Sequence, residues 1–121
     1  MRNITAIVPA RNEEANIVRV VESLAAQPEV REIIVVDDGS TDETETVVAR
    51  IARSSTMPVR YVKKANGGCS SARNAGVTIA AGDCIAFLDS DDQYVPNAIE
   101  SLVAVMNSSG ADFVYSQSIE V

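Results

Sequence analysis

Two patterns of apolar residues alternate along the chain. Short, nearly continuous apolar runs predict buried strands, and we place these strands at residues 3–9, 32–38, 59–62, 84–88 and 112–115. Between the runs, apolar residues recur three and four positions apart, which predicts amphipathic helices. Because strands and helices alternate, we expect an α/β fold: a three-layer α/β/α sandwich around a mostly parallel sheet of about four to five strands.

Polar residues set the expected limits of the helices. Asn12 is expected to cap the first helix, and residues 40–43 form a capping box that opens the second. The fourth helix follows Pro96, and we expect it to bury one stripe of side chains, namely Ile99, Leu102, Val103 and Met106.

Polar side chains stand at the carboxyl ends of three of the predicted strands, in clusters at residues 9–11, 37–40 and 89–91. The carboxyl ends of parallel strands face the same side, so we expect these clusters to line one pocket. Crowded carboxylates raise each other's pKa, and a sequence tolerates this most readily when a cation sits among them. The run Asp89-Ser90-Asp91 therefore indicates either a divalent metal site that carries a phosphorylated ligand, or an acidic turn that caps the next helix.

Composition narrows the chemistry that such a pocket could perform. The chain has 121 residues, enough for one domain, and a net charge of −7 disfavours binding to nucleic acid or to an anionic membrane surface. Histidine is absent, which removes Ser-His and Cys-His nucleophiles and the usual zinc sites. Acid–base work then falls to carboxylates, and any metal should be a hard, oxygen-bound cation.

The lack of recognisable targeting signals and the spacing of the two cysteines favour a cytoplasmic protein. There is neither a transmembrane-length apolar run nor a signal-peptide pattern, and Cys69 and Cys84 lack metal-finger spacing. We therefore expect reduced thiols in a cytoplasmic protein, peripheral at the inner membrane face if the chain is part of a longer protein.

A glycine-rich loop precedes the third predicted helix. Its pair Gly67-Gly68 belongs neither to a dinucleotide-binding pattern nor to a P-loop. Arg73, on the helix that follows, is placed to reach a diphosphate as a charge-assisted donor. The alternative is that Arg73 pairs with a nearby surface carboxylate.

Four segments stand in a fixed order along the chain: Ile7–Glu13, Val35–Asp42, Ala72–Gly76 and Phe87–Asp92. Together they resemble successive motifs of the family 2 glycosyltransferases and span residues 4 to 105. The resemblance implies a Rossmann-like GT-A fold, with residues 1–121 forming its nucleotide-diphospho-sugar-binding half. It also implies transfer from a UDP- or GDP-sugar with inversion at the anomeric carbon, Mn²⁺ or Mg²⁺ as cofactor, and an acceptor that the sequence does not identify.

The same resemblance implies roles for individual residues. The nucleotide-sugar site would contain Pro9, Ala10, Arg11, Asp37, Asp38, Arg73, Asp89 and Ser90, and the metal would be held by Asp91, Asp89 and Gln93. Asp38 would contact the base or ribose, and Asp91 would be the direct metal ligand. Gln93 is included because the Asp-X-Asp-X-Gln spacing resembles the polyprenyl-phosphate sugar transferases of this family; the alternative is an exposed polar residue before the helix.

The family's catalytic base and acceptor loops lie after the fifth strand. We therefore assign no base, expect it beyond Val121, and expect the acceptor half to be absent. A missing half would expose a sheet edge through which the chain could form a homo-oligomer.

Two other functions stay open. One is a nucleotide-binding or assembly module without turnover. The other is a sugar-phosphate nucleotidyltransferase, although residues 9–12 do not supply the glycine-rich signature that this class needs after its first strand.

Overall fold

Strands and helices alternate through residues 3–115, the part of the chain that the computed structural model describes. The elements are β1 (Ile4–Ala10), α1 (Ile17–Ala25), β2 (Val30–Asp38), α2 (Thr44–Ser54), β3 (Val59–Lys64), α3 (Cys69–Ile79), β4 (Cys84–Phe87) and α4 (Ala98–Ser109). The strands form one parallel sheet in the order β3-β2-β1-β4. The predicted α/β architecture with a parallel sheet is confirmed.

The two central strands explain why the sheet is covered on both faces. Every residue of β1 is buried, and in β2 only Arg31 is exposed. Successive side chains of a strand point to opposite faces. Val8 and Val35 accordingly pack in a cluster with α1, whereas Ile7 and Ile34 pack with α3. Near-continuous apolar runs are the sequence pattern of strands buried on both faces.

The close approach of α3 to the sheet depends on a glycine. A Cβ atom added to Gly76 would lie 2.6 Å from Cγ2 of Ile7, closer than two carbon atoms can pack. The small residue therefore lets the helix backbone lie directly on β1.

Strand order creates a crevice at one end of the sheet. From β1 the chain passes through α1 to β2 on one side, while β4 pairs with β1 on the other side. Ligands of open α/β sheets bind outside the carboxyl ends of the strands where the order reverses in this way. All three polar clusters predicted from the sequence lie at this end of the sheet.

The predicted fifth strand is not formed within the described residues. Residues 112–115 pair with no strand there, and the side chains of Phe113 and Tyr115 are 74% and 82% exposed. An apolar run becomes a strand only where a neighbouring backbone offers hydrogen bonds, which the local pattern of residues cannot specify.

Two expected helix caps were also wrong, and the capping box at residues 40–43 is one of them, because α2 begins at Thr44 and has no side-chain cap bond. The first helix begins at Ile17, and Asn12 lies well before it with φ of 55°. In α4 the predicted stripe faces inward as expected, with Ile99 buried and the other three residues half-buried. Helix α4 therefore packs less deeply than its periodicity suggests.

Among the described residues, no helix combines the length and the apolar character needed to cross a membrane.

Candidate functional site

The loops that follow β1 and β2 are joined by hydrogen bonds. The backbone N–H of Asn12 donates to Oγ of Ser40 at 2.8 Å, and the N–H of Thr41 donates to Oδ1 of Asn12 at 2.8 Å. One residue later, the N–H of Glu13 donates to Oγ1 of the buried Thr44 at 3.0 Å. Asparagine is among the few residues that tolerate a positive φ, so Asn12 can turn the chain while bonding the neighbouring loop.

Asp38 lies at the carboxyl end of β2 and is 5% exposed. Its Oδ1 atom accepts hydrogen bonds from Nζ of Lys64 at 3.0 Å and from the N–H of Gly67 at 2.9 Å. Its Oδ2 atom accepts from the N–H of Gly68 at 2.9 Å. The bond from Gly67, together with Lys64 and Gly68, lowers the pKa of Asp38, so the carboxylate is ionised at neutral pH.

Asp37 is more deeply buried than Asp38, at 1% exposed, and faces the neighbouring strand. Its two oxygens accept from the N–H of Ser40 at 2.8 Å and from the hydroxyl of Tyr61 at 2.5 Å. Burial, followed by the bond to Asp37, raises the pKa of Tyr61, so the phenol stays a donor. Asp37 thus joins the loop after β2, through Ser40, to Tyr61 on β3.

A cleft of about 260 Å³ opens between these loops and the start of α3. It is lined by Pro9, Ala10, Arg11, Asp38, Asn66, Gly68 and Cys69. The first four are predicted site residues. Asn66, Gly68 and Cys69 have no role assigned from the sequence; the signal that could have found them is the glycine pair, because glycine lets a backbone approach a ligand closely.

Three exposed carboxylates form a second group of site residues, which we call the acidic cluster: Asp89, Asp91 and Asp92. One oxygen from each lies within 4.8 Å of the others. Burial, followed by repulsion from Asp91 and Asp89, raises the pKa of Asp92. Clustered carboxylate oxygens that repel one another suit a hard divalent cation such as Mg²⁺ or Mn²⁺. Asp92 has no role in the sequence prediction, although it is the third carboxylate of the same run.

Ser90 and Gln93 take different positions beside the acidic cluster. Ser90 is 8% exposed, so its side chain is directed largely inward. Gln93 is exposed and lines a small cavity of about 70 Å³, together with Asp91, Asp92 and three residues of the α1 side, Asn16, Arg19 and Val20. The structure therefore places Gln93 next to Asp91, on the side of the acidic cluster that faces α1.

Arg73 contacts the acidic cluster from α3, the helix whose first residue, Cys69, lines the cleft. It lies about one helical turn after Cys69 on α3, and its Nη2 atom is 3.0 Å from Oδ1 of Asp89. Its guanidinium carbon is 5.9 Å from the ring centroid of Phe87. The predicted alternative of an ion pair with a carboxylate is therefore present, and that carboxylate is itself a predicted site residue.

Comparison with known proteins places the chain among glycosyltransferases. The sequence model of Glycosyl transferase family 2 matches residues 5–121. An uncharacterized glycosyltransferase of Rickettsia prowazekii is 40% identical over 105 residues, which are 86% of this chain and 32% of that protein. The succinoglycan biosynthesis protein ExoU of Rhizobium meliloti is 35% identical over 113 residues, 93% of this chain and 32% of ExoU. The chain thus spans about a third of the length of these relatives.

Solved structures agree with this assignment. S. aureus TarS 1–349 in complex with UDP-GlcNAc has a TM-score of 0.78 and 31% identity, over 91% of this chain and 32% of that one. The mannosyltransferase PcManGT of Pyrobaculum calidifontis, in complex with GDP-Man and Mn²⁺, has a TM-score of 0.81 and 26% identity, over 87% and 32%. These neighbours are GT-A glycosyltransferases, so the predicted fold class is confirmed.

Proposed function

This chain belongs to glycosyl transferase family 2, and on that premise we propose that it binds the donor of an inverting glycosyltransferase, a nucleotide-diphospho-sugar. One observation carries the proposal. The cleft at Asp38 and the acidic cluster open at the same edge of the sheet, and α3 borders both: its first residue, Cys69, lines the cleft, and its Arg73 pairs with Asp89. In a nucleotide-diphospho-sugar the base and ribose form one end, and the diphosphate, which is balanced by cations, forms the middle. The cleft would hold the first part, and the acidic cluster with Arg73 would lie beside the second.

We place the nucleoside in the cleft. Pro9 and Ala10 are buried parts of β1 and give the cleft a rigid floor, while Gly68 and Cys69 form the opposite wall. Asp38 is held ionised and lines the cleft, so it can accept a hydrogen bond from a base N–H or a ribose hydroxyl. Support comes from TarS and PcManGT, whose structures contain UDP-GlcNAc and GDP-Man.

We place the divalent cation at the acidic cluster. Asp91 and Asp89 are the predicted ligands, we add Asp92 because its carboxylate lies within reach of theirs, and Gln93 is the neighbouring candidate. Mn²⁺ or Mg²⁺ bound there would offset the negative charge that grows on a departing diphosphate. Manganese in the PcManGT complex supports the choice of metal.

Arg73 contributes a positive charge beside the proposed metal site. It pairs with Asp89, and guanidinium groups bind phosphate oxygens through directional, charge-assisted hydrogen bonds. The general base of an inverting transfer must stand on the face of the sugar opposite the diphosphate. We place that base, and the acceptor site, outside residues 3–115.

Calorimetry of UDP and GDP binding, with and without Mn²⁺ or Mg²⁺, tests this proposal. We expect one of the two nucleotides to bind only when metal is present, and binding to be lost in Asp91→Ala. Asp112→Ala removes an exposed carboxylate outside the acidic cluster and should bind like the parent chain. Metal-independent binding that Asp91→Ala leaves unchanged would overturn the assignment.

A further inference from the structure

The acidic cluster lies on a long connection, residues 88–97, between β4 and α4. At its start, the N–H of Leu88 donates to the carbonyl of Ile7 at 3.1 Å and so continues the ladder between β1 and β4. Within the acidic cluster, the N–H of Asp92 donates to the carbonyl of Asp89 at 3.0 Å and closes a turn. What holds the far end of this connection decides how firmly the three carboxylates are spaced.

The far end is held by side chains from the α1 region. The N–H of Tyr94 donates to Oγ of Ser23 at 3.3 Å. Nε2 of Gln27 donates to the carbonyl of Val95 at 2.9 Å, and Oε1 of Gln27 accepts from the N–H of Ile99 at 3.1 Å. We call this set of three hydrogen bonds the α1 tether.

Gln27 is placed for this task. Its side chain is only 1% exposed, and both ends of its amide are used on the segment that follows the acidic cluster. A buried amide is costly unless it is hydrogen-bonded. Gln27 therefore binds the backbone at Val95 and Ile99 in a single geometry, because both bonds must be made together.

The tether matters because α4 itself is lightly packed. Ile99 is the one buried residue of α4, and its N–H is the group that Gln27 accepts from. Apolar contact with so few residues is non-directional and does not fix the position of the connection along α1. Directional hydrogen bonds from Ser23 and Gln27 can do so.

The start of α1 reaches the acidic cluster as well. Asn16 and Arg19 share the small cavity with Asp91, Asp92 and Gln93. Both ends of this helical region thus border the connection, so a shift of the connection against α1 would change where the carboxylates stand.

We infer that Ser23 and Gln27 are positioning residues, which hold the carboxylates of the acidic cluster at the spacing that a divalent cation requires. The inference rests on the proposed function, because it gives the acidic cluster its metal. Outer groups that orient metal ligands typically change metal affinity by about 10- to 100-fold when they are lost. We therefore expect a metal effect without a change in the nucleoside cleft, which no atom of the tether lines.

The test uses the full chain and measures UDP or GDP binding, whichever the parent chain prefers, at increasing Mn²⁺ concentrations. In Ser23→Ala and Gln27→Met, the Mn²⁺ concentration that gives half of the maximal binding should rise about 10-fold. Nucleotide affinity at saturating Mn²⁺ should stay within about 2-fold of the parent value, because the cleft is intact.

Matched variants separate positioning from general loss of stability. Ser23→Thr keeps the hydroxyl and should restore the Mn²⁺ midpoint of the parent chain. Val48→Ala removes part of a fully buried side chain on α2, away from the connection, and should lower stability without moving that midpoint. If Gln27→Met fails to fold, the pair of variants at the half-buried Ser23 decides the question.

The possible failures are distinguishable. If the parent chain shows no metal-dependent nucleotide binding, the proposed function falls and the inference falls with it. If the parent chain does show it, and folded Ser23→Ala and Gln27→Met keep the parent midpoint, the inference alone is overturned.

Discussion

The two acidic regions at the carboxyl edge of the sheet are built in opposite ways. After β2, Asp37 and Asp38 are buried, and every carboxylate oxygen has a hydrogen-bond donor from the chain. After β4, the three residues of the acidic cluster are exposed, and desolvation, followed by repulsion from Asp91 and Asp89, raises the pKa of Asp92. The carboxylates of the first region are fully hydrogen-bonded within the chain, whereas those of the second would be paired by the cation that we propose.

This difference separates stability from binding. Removing one partner of a buried, hydrogen-bonded carboxylate leaves the other groups unsatisfied and is strongly destabilising. Exposed carboxylates and their ion pairs contribute little to folding, and carboxylates that repel one another detract from it. We therefore expect substitutions after β2 to lower stability, in addition to any effect of Asp38 on the cleft, and substitutions around the acidic cluster to change ligand affinity with little effect on stability.

The largest loss of unfolding free energy is expected for Asp38→Ala. The side chains of Asp38 and Lys64 are 8% and 21% exposed, and the two backbone N–H groups at Gly67 and Gly68 would also lose their acceptor. Breaking a buried pair of this kind costs about 3 kcal/mol or more of unfolding free energy. Urea unfolding measures the loss.

Lys63→Ala provides the control for that substitution. Lys63 pairs with Glu45 at 3.3 Å, but the two side chains are 58% and 57% exposed. An exposed pair of this kind is worth about 0.5 kcal/mol. Equal losses of unfolding free energy in Asp38→Ala and Lys63→Ala would contradict the view that the buried hydrogen bonds of Asp38 stabilise the fold.

The next largest effect is expected at Asn12. Asn12→Ala loses the bond to the N–H of Thr41 and forces alanine into a positive φ, which together should cost about 2 kcal/mol. Asn12→Gly loses the bond but adopts this φ freely, so about 1 kcal/mol is expected. Urea unfolding of both variants measures the difference, and equal losses would show that the backbone conformation of Asn12 carries no cost.

Arg73→Gln should lower nucleotide affinity while leaving stability nearly unchanged. The ion pair with Asp89 is exposed, at 38% and 49%, so unfolding free energy should change by less than about 0.5 kcal/mol. Nucleotide affinity in Mn²⁺ should fall about 10-fold, equivalent to about 1.4 kcal/mol, because a charge-assisted donor to the diphosphate is lost. Calorimetry and urea unfolding of the same sample measure the two values. A large loss of stability with unchanged affinity would reverse the comparison.

Most of the fold could be predicted from the sequence because the signals were local. Buried apolar runs identified β1 and β2, and the spacing of Asp89 and Asp91 identified the acidic cluster, which the structure brings together. The prediction of a fifth strand was wrong because strand formation depends on a distant partner, which an apolar run at 112–115 does not specify.

The remaining features depend on contacts between distant residues. Asp37 and Asp38 are adjacent and chemically identical, and only Tyr61 on β3 and the loop before α3 decide which one lines the cleft. Gln27 carried no signal at all, because a glutamine near the end of a helix is ordinary until its backbone partners at Val95 and Ile99 are known.

The smallest expected effect is the change with pH in the stability that the hydrogen bonds of Asp38 contribute. Its pKa in the folded chain lies below the ordinary value of 3.8, chiefly because of the Gly67 bond. The stabilisation is therefore complete above that ordinary value and is lost as pH falls through the lower, folded pKa. Asp38→Asn should be less stable than the parent chain by a constant amount from pH 7 to about pH 5, and the gap should narrow below about pH 4.

Glu32→Gln is the matched control for that titration, because Glu32 is a buried carboxylate at the opposite end of the sheet. Burial raises its pKa, but bonds from Arg60, Ala81 and Thr5 outweigh it, so the net shift is downward as for Asp38. Urea unfolding across pH should therefore show the same narrowing in both variants. Nucleotide affinity at pH 7 should fall in Asp38→Asn alone, because Glu32 lies away from the cleft. If both variants weaken binding equally, Asp38 serves folding only, and the region after β2 has no share in holding the nucleotide.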